Sequence, residues 1–297
     1  MSRWLAAGCA ALAAACATRG PGTTAPAPTP AATAPAAGAP TRPPERRTGP
    51  AVVRYGPSAL RYLVHRRFHI EQSFGGSPQV QDLGAQFFVS TAITGPADTN
   101  GYPATFTVDS IIADSGTPPP LVENFSRVRA LVFSGRLAAQ GEFRNSAASD
   151  SALARNLTQL LGSFHDFLPR IPREGVTPGA AWSDTVSWTQ RGGGAEVTRR
   201  TLQQSTAAAW EDHNGTRSLR VEASGTYSVA GSGQNGGQFF QIGGTGTTTA
   251  RAFLAEDGRF IGGEARDSAS LTLTLPAQGL TIPVTQLLHS TITLLRP

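Results

Sequence analysis

The residues of this chain best suited to acid–base or metal chemistry near neutral pH are its five histidines, at positions 65, 69, 165, 213 and 289. His65 and His69 stand four apart, which on a helix is a metal-pair spacing. They lie, however, in a run from Leu60 to Phe74 where Tyr62, Val64, Phe68 and Ile70 alternate with His65, Arg67, His69 and Glu71. Such alternation is the mark of a strand with one wet face, and four strand residues span about 13 Å, too far for one metal to bridge. His165 flanks an apolar helical stripe, His213 precedes an Asn-Gly turn and His289 falls on the polar parity of the last strand. Spacing obliges no two of them to meet. All five are expected to be solvated, with no metal and no cofactor.

Among the carboxylates, Asp184 stands out because strand parity places it between Trp182 and Val186 on the buried face. A carboxyl among aromatics would have a raised pKa and could act as an acid. An ion pair with a neighbouring arginine is the preferred expectation. The run Gly231-Ser232-Gly233-Gln234-Asn235-Gly236 matches a dinucleotide fingerprint by letters, but a strand follows it at Gln238 where a helix is required, so it reads as a hairpin loop. Gly243-Gly244-Thr245-Gly246 reads as a strand irregularity. The chain has no lysine, which excludes P-loop and Schiff-base chemistry. It also has no G-x-S-x-G, H-E-x-x-H or EF-hand motif; only a loop-assembled Ser-His-Asp site stays open as a hydrolase reading. Three Asn-x-Ser/Thr sequons, at Asn124, Asn156 and Asn214, would carry nothing in a bacterial protein.

The elements that must position these groups are mostly strands. Two β meanders, 51–145 and 169–297, flank a helix over 146–168, with Ser149 or Ser146 as N-cap and Pro169 as the stop. Leu153, Leu157, Leu160, Leu161, Phe164 and Leu168 form that helix's single apolar face. Hairpin signals recur at Asn214-Gly215 and Asp257-Gly258, and turns at Gly75 to Pro78 and Pro276 to Gly279. Segment 128–143 reads as a fourth strand broken at Gly135. The fold class is mainly β: a large curled antiparallel sheet or half-open barrel of about ten strands with one main helix packed on it. Residues 51–297 form a single domain.

The first fifty residues are of another kind. Arg3 opens a positive region, Trp4 to Ala15 is a short apolar run, and Leu12-Ala13-Ala14-Ala15 precedes Cys16. Small residues before a cysteine resemble the lipobox of bacterial lipoproteins. The resemblance implies a signal peptide over 1–15 and a lipid anchor on Cys16. Cys9 fits the local pattern with a much shorter apolar run, and cleavage after Ala15 without lipidation would still export the chain. Residues 16–50 are an Ala/Pro/Thr-rich tether, extended at roughly 3 Å per residue where polyproline geometry holds. Five arginines lie before residue 50, so the remainder carries 20 arginines against 19 acidic residues. That near balance argues against nucleic acid as a partner. Both cysteines lie in the leader, so the folded part has no disulfide and no thiol nucleophile.

From Phe167 to Trp182 the chain reads Phe-Leu-Pro-Arg-Ile-Pro-Arg-Glu-Gly-Val-Thr-Pro-Gly-Ala-Ala-Trp. An apolar-Pro-x-x-Pro run followed by Val-x-x-Gly-x-x-Trp and β hairpins resembles a pattern of uncharacterised bacterial cell-envelope lipoproteins. The architecture is similar to the Lol-type and mycobacterial envelope carriers, which hold acyl chains between sheet and helix; this implies a fold and transfers no site residues. On that basis the expected protein is an exported, non-enzymatic lipoprotein, held at the membrane by its N-terminal lipid, that binds a lipid or other hydrophobic ligand. Leu153, Leu157, Leu160, Leu161, Phe164, Trp182 and Trp188 are the expected pocket lining. A protein-interaction module and a hydrolase are the alternatives, and the oligomeric state is left open.

Overall fold

The computed structural model describes residues 52–74, 76–125, 128, 130–154, 164–192 and 194–295. Eleven strands form one antiparallel sheet: β1 (Ser58–Phe74), β2 (Ser77–Ile93), β3 (Tyr102–Ala113), β4 (Leu131–Leu137), β5 (Phe143–Ala148), β6 (Ala181–Gly192), β7 (Ala195–His213), β8 (Thr216–Asn235), β9 (Gln238–Ala255), β10 (Phe260–Leu275) and β11 (Leu280–Leu295). Their spatial order is β5-β4-β3-β2-β1-β11-β10-β9-β8-β7-β6. The two expected meanders are present, and β1 joins β11 at their seam, with Arg61 opposite Leu295 and Gln72 opposite Val284. The sheet is not closed, because the two edges, β5 and β6, do not pair. The expected fourth strand is in fact two, β4 and β5. Gly135 sits at a register shift between them, against the Phe143 ring.

The local signals worked where turn chemistry is strict. Asn214 and Gly215 both hold positive φ, 55° and 75°, as a two-residue hairpin with matched twist requires. The letter match to a dinucleotide loop is strand up to Asn235 and turns only at Gly236-Gly237. Gly243 to Gly246 keeps register with both neighbours, so it is no irregularity in pairing. Gly246 is needed for another reason: a Cβ there would collide with the Tyr227 ring that lies on it.

The main helix is where expectation and structure part. Among the described residues the helix of any length is α1 (Pro119–Phe125), in what read as a stiff loop. Residues 151–154 are helical, and their cap is Asp150, whose Oδ1 accepts from the Leu153 N–H at 2.9 Å. Ser149 is engaged with Val132 instead, through its backbone and its hydroxyl. Leu157, Leu160 and Leu161 lie outside the described residues, as do Cys9, Cys16 and the tether. Phe164 has φ 55°, a left-handed conformation that no α-helix passes through, so the expected helix over 146–168 does not run through it. Its ring explains the strain. It stacks on Phe106 at 5.2 Å and meets Phe133 at 5.0 Å edge-on, filling the space above the sheet.

The described parts of the connection from β5 to β6 thus pack on one face of the sheet and bury Leu153, Phe164, Phe167, Leu168, Ile171 and Val176. Phe167 reaches Tyr62, Phe106 and Phe260. The elbow is pinned on both flanks: the Ile171 N–H donates to Gln140 and the Gly179 N–H to Ala207. Val53 exchanges two backbone bonds with Val176, and the Tyr55 hydroxyl donates to the Pro169 carbonyl. Trp182 packs against the margin of this core, while Trp188, opposite Arg199, lies farther along edge strand β6.

Candidate functional site

Strand parity that buries Tyr62, Val64 and Phe68 turns His65, Arg67 and His69 to the opposite, polar face. Antiparallel register then decides their neighbours. Arg67 stands opposite Gly84 of β2 and His289 of β11; His289 stands opposite Arg266 of β10, and Arg266 opposite Thr249 of β9. Here the sheet forms an open groove of about 930 Å³, lined by His65, Arg67, His69, Asp114, Arg266 and His289 together with Ser115, Thr247, Thr249 and Ser268. That volume falls in the range of about 300–1,000 Å³ typical of small-molecule sites.

Three of the five histidines therefore converge, which spacing alone could not reveal. None of the five is simply solvated. His65 Nε2 lies 2.7 Å from Asp114 Oδ2, and its Nδ1 lies 3.5 Å from an Arg67 nitrogen. Gly84 makes the first contact feasible, since a Cβ there would collide with the Asp114 carboxylate. The hydroxyl of Thr117 holds the same corner by donating to the Gly84 carbonyl at 2.7 Å. His69 meets Asp82 at 2.7 Å and Glu71 at 3.0 Å. The Glu71 hydrogen bond, followed by that of Asp82, raises the His69 pKa above its ordinary 6.5. His289 Nε2 is shielded from solvent, lies 4.0 Å from Glu264 and has no hydrogen-bond partner among the described residues. Outside the groove, His165 meets Glu142 at 3.0 Å. His213 stacks on Phe253 at 3.7 Å, where desolvation pulls its pKa down.

A second polar cluster sits where the elbow crosses the other face. Asp184 is paired with Arg170 at 2.5 Å, the preferred expectation, although the arginine comes from the elbow and not from the strand. Arg170 also faces Glu142, which bonds Arg144 and His165. Burial works against the Glu142 carboxylate, but the Arg144 hydrogen bond and the charges of Arg170, Arg144 and His165 outweigh it and hold its pKa below 4.5. These ion pairs clamp elbow to sheet, although His165 Nδ1 and Arg170 Nη1 have no hydrogen-bond partner among the described residues.

Among the described residues, no group of three or more His, Asp or Glu is placed to hold a metal ion. Of the expected pocket lining, Leu153 and Phe164 are part of the main core and Trp182 packs at its edge, so the described residues among them pack together and Trp188 stands apart. The groove residues escaped sequence reasoning because cross-strand partners such as Arg67 and His289 lie 222 positions apart in the chain.

No protein-family profile and no curated protein matches this chain. Among solved structures it is similar to OccK2 (OpdF) of Pseudomonas aeruginosa, at 9% identity and a TM-score of 0.28, over 80% of this chain and 98% of that one. The same protein solved in complex with glucuronate gives 10% identity and a TM-score of 0.24 over the same shares. A likeness this shallow carries no argument about fold or function.

Proposed function

We propose that the protein is an exported, Cys16-anchored envelope module whose sheet binds a small polar ligand in the β1–β2–β10–β11 groove. The groove itself carries the reading: a concavity of small-molecule size, lined by charged and hydroxyl side chains together with Leu83, Leu287 and Leu288. The space between sheet and connection, where an apolar ligand was expected, holds Phe106, Phe143, Phe164 and Phe167 in mutual contact. Binding is favoured over hydrolysis because two of the three groove histidines are committed. His65 gives one nitrogen to Asp114 and turns the other to Arg67, and His69 gives both to carboxylates, so neither is left to activate a hydroxyl.

Two measurements test this. Mass spectrometry of the mature N-terminus should show a lipid-modified Cys16, and Cys16→Ser should release the protein from membranes; a free cysteine or a later start would overturn the anchor. Native mass spectrometry of protein purified from envelopes should show a bound small molecule that Ser268→Trp or Thr249→Trp expels. Retention of that molecule in both tryptophan variants would remove the groove as the site.

A further inference from the structure

Resting on the reading of the groove as a ligand site, we infer that its centre is an oxyanion site formed by Arg67, His289 and Arg266. These are direct cross-strand neighbours on β1, β11 and β10, all on the polar face. Arg67 and Arg266 thus stand two strands apart on the same face, with the His289 imidazole between them. Arg67 hydrogen-bonds His65 through its Nε at 3.3 Å, and the nearby carboxylates balance only part of the row. Asp114 is committed to His65 and stands 4.0 Å from Arg67, Asp82 and Glu71 are taken by His69, and Glu264 faces His289 at 4.0 Å. Exposed Arg266 has no hydrogen bond or ion pair among the described residues.

Strands β1 and β10 are separated by β11 alone, a backbone distance of about 10 Å. Two arginine side chains can converge over His289 from that distance and present their planar forks to one phosphate or carboxylate group. The groove is far larger than one inorganic anion, and Thr247, Thr249 and Ser268 line it on the β9–β10 side. Those hydroxyls fit the hydroxyl groups of an organic ligand. The ligand class is a soluble, hydroxylated organic oxyanion.

Calorimetric titration of the full chain with glucose 6-phosphate, gluconate, inorganic phosphate and glucose tests the assignment. Saturable binding is expected for at least one of the two organic anions, tighter than for inorganic phosphate, absent for neutral glucose and weakened by added sodium chloride. Arg67→Gln and Arg266→Gln should each reduce affinity tenfold or more while leaving the melting temperature unchanged or higher. Absence of saturable binding for both organic anions, or undiminished binding in the double variant, would overturn the oxyanion site. Binding to phosphatidylglycerol vesicles without any response to the soluble anions would move the charge to a lipid headgroup and overturn the solute assignment. The wider reading fails separately: a neutral envelope-derived ligand expelled by Ser268→Trp but kept by both arginine variants would preserve the groove and remove only its anion site.

Discussion

Strands β1–β5 and strands β6–β11 alternate with equal regularity, yet they are stabilised by different means. On β2 and β3 the inward residues include Phe87, Val89, Phe106 and Val108, all buried, under a lid of Phe164, Phe167, Leu168 and Ile171. Along β7 to β9 the same inward parity, away from the lid, carries Thr201, Ser205, Ala223, Gly225, Gly246 and Thr248. Near the lid that half joins the main core through Ala207, Leu219, Val221, Ala252, Leu254 and Phe260; away from it there is a small apolar cluster, Tyr227, Ala269 and Leu271, beside an ion pair in which Arg199 grips Asp267 through two nitrogens. The Arg199 guanidinium lies 3.6 Å over the Tyr227 ring. Alternation makes a strand, whereas cover and side-chain volume make a core.

The sharpest way to break this comparison is to cut equivalent holes in both halves. Phe106→Ala should cost about 3–5 kcal/mol of unfolding free energy, and Leu271→Ala about 2 kcal/mol, at the low end for a core truncation. Equal losses in denaturant titrations would mean that the second half is as tightly packed as the first. Next in size, Asp267→Ala leaves Arg199 unpaired in a site where the two side chains are only 17% and 20% exposed, and should cost roughly 1–3 kcal/mol. The double change Arg199→Met with Asp267→Leu should recover most of that loss, because removing both charges ends the desolvation penalty. If the double variant is no better than the single, the pair does more than satisfy itself.

Acid sharpens the first half further. Glu142 has a folded pKa below its ordinary 4.5, so its clamp on Arg170 and Arg144 is fully present above that value and lost as pH falls through the lower one. Unfolding curves from pH 5 to pH 2 should therefore drop less steeply in Glu142→Gln than in the parent; parallel curves would show that the clamp carries no stability. The smallest effect belongs to the groove. His69 has a raised pKa, so its contribution is complete below 6.5 and fades as pH rises through the folded value. Its NMR titration midpoint should lie above 6.5 and fall back in Glu71→Gln and, less strongly, in Asp82→Asn.

Much of the strand layout was legible because period two, Asn-Gly and Asp-Gly turns and proline-glycine punctuation are local signals. The helix was not. Its leucine spacing is real, but Phe164 leaves helical geometry to join an aromatic cluster whose other members lie between 3 and 102 positions away. Parity placed Asp184 on the inward face of its strand, whereas the identity of its partner, Arg170, required the elbow to fold back. The three groove histidines looked independent, since residues 69 and 289 are brought near only by the β1–β11 seam.

By itself the sequence determined most of the strand layout, which faces of those strands are wet, and that lysine and thiol chemistry have no place in the folded part. Each of those follows from residue type and from contacts within a few positions. The tertiary structure decided that the two meanders meet at β1 and β11, that the connection is a clamped aromatic lid, and that Arg67, His289 and Arg266 stand in one row. Register between strands far apart in the chain is set by the burial of their opposite faces, and no local pattern on the polar face records it.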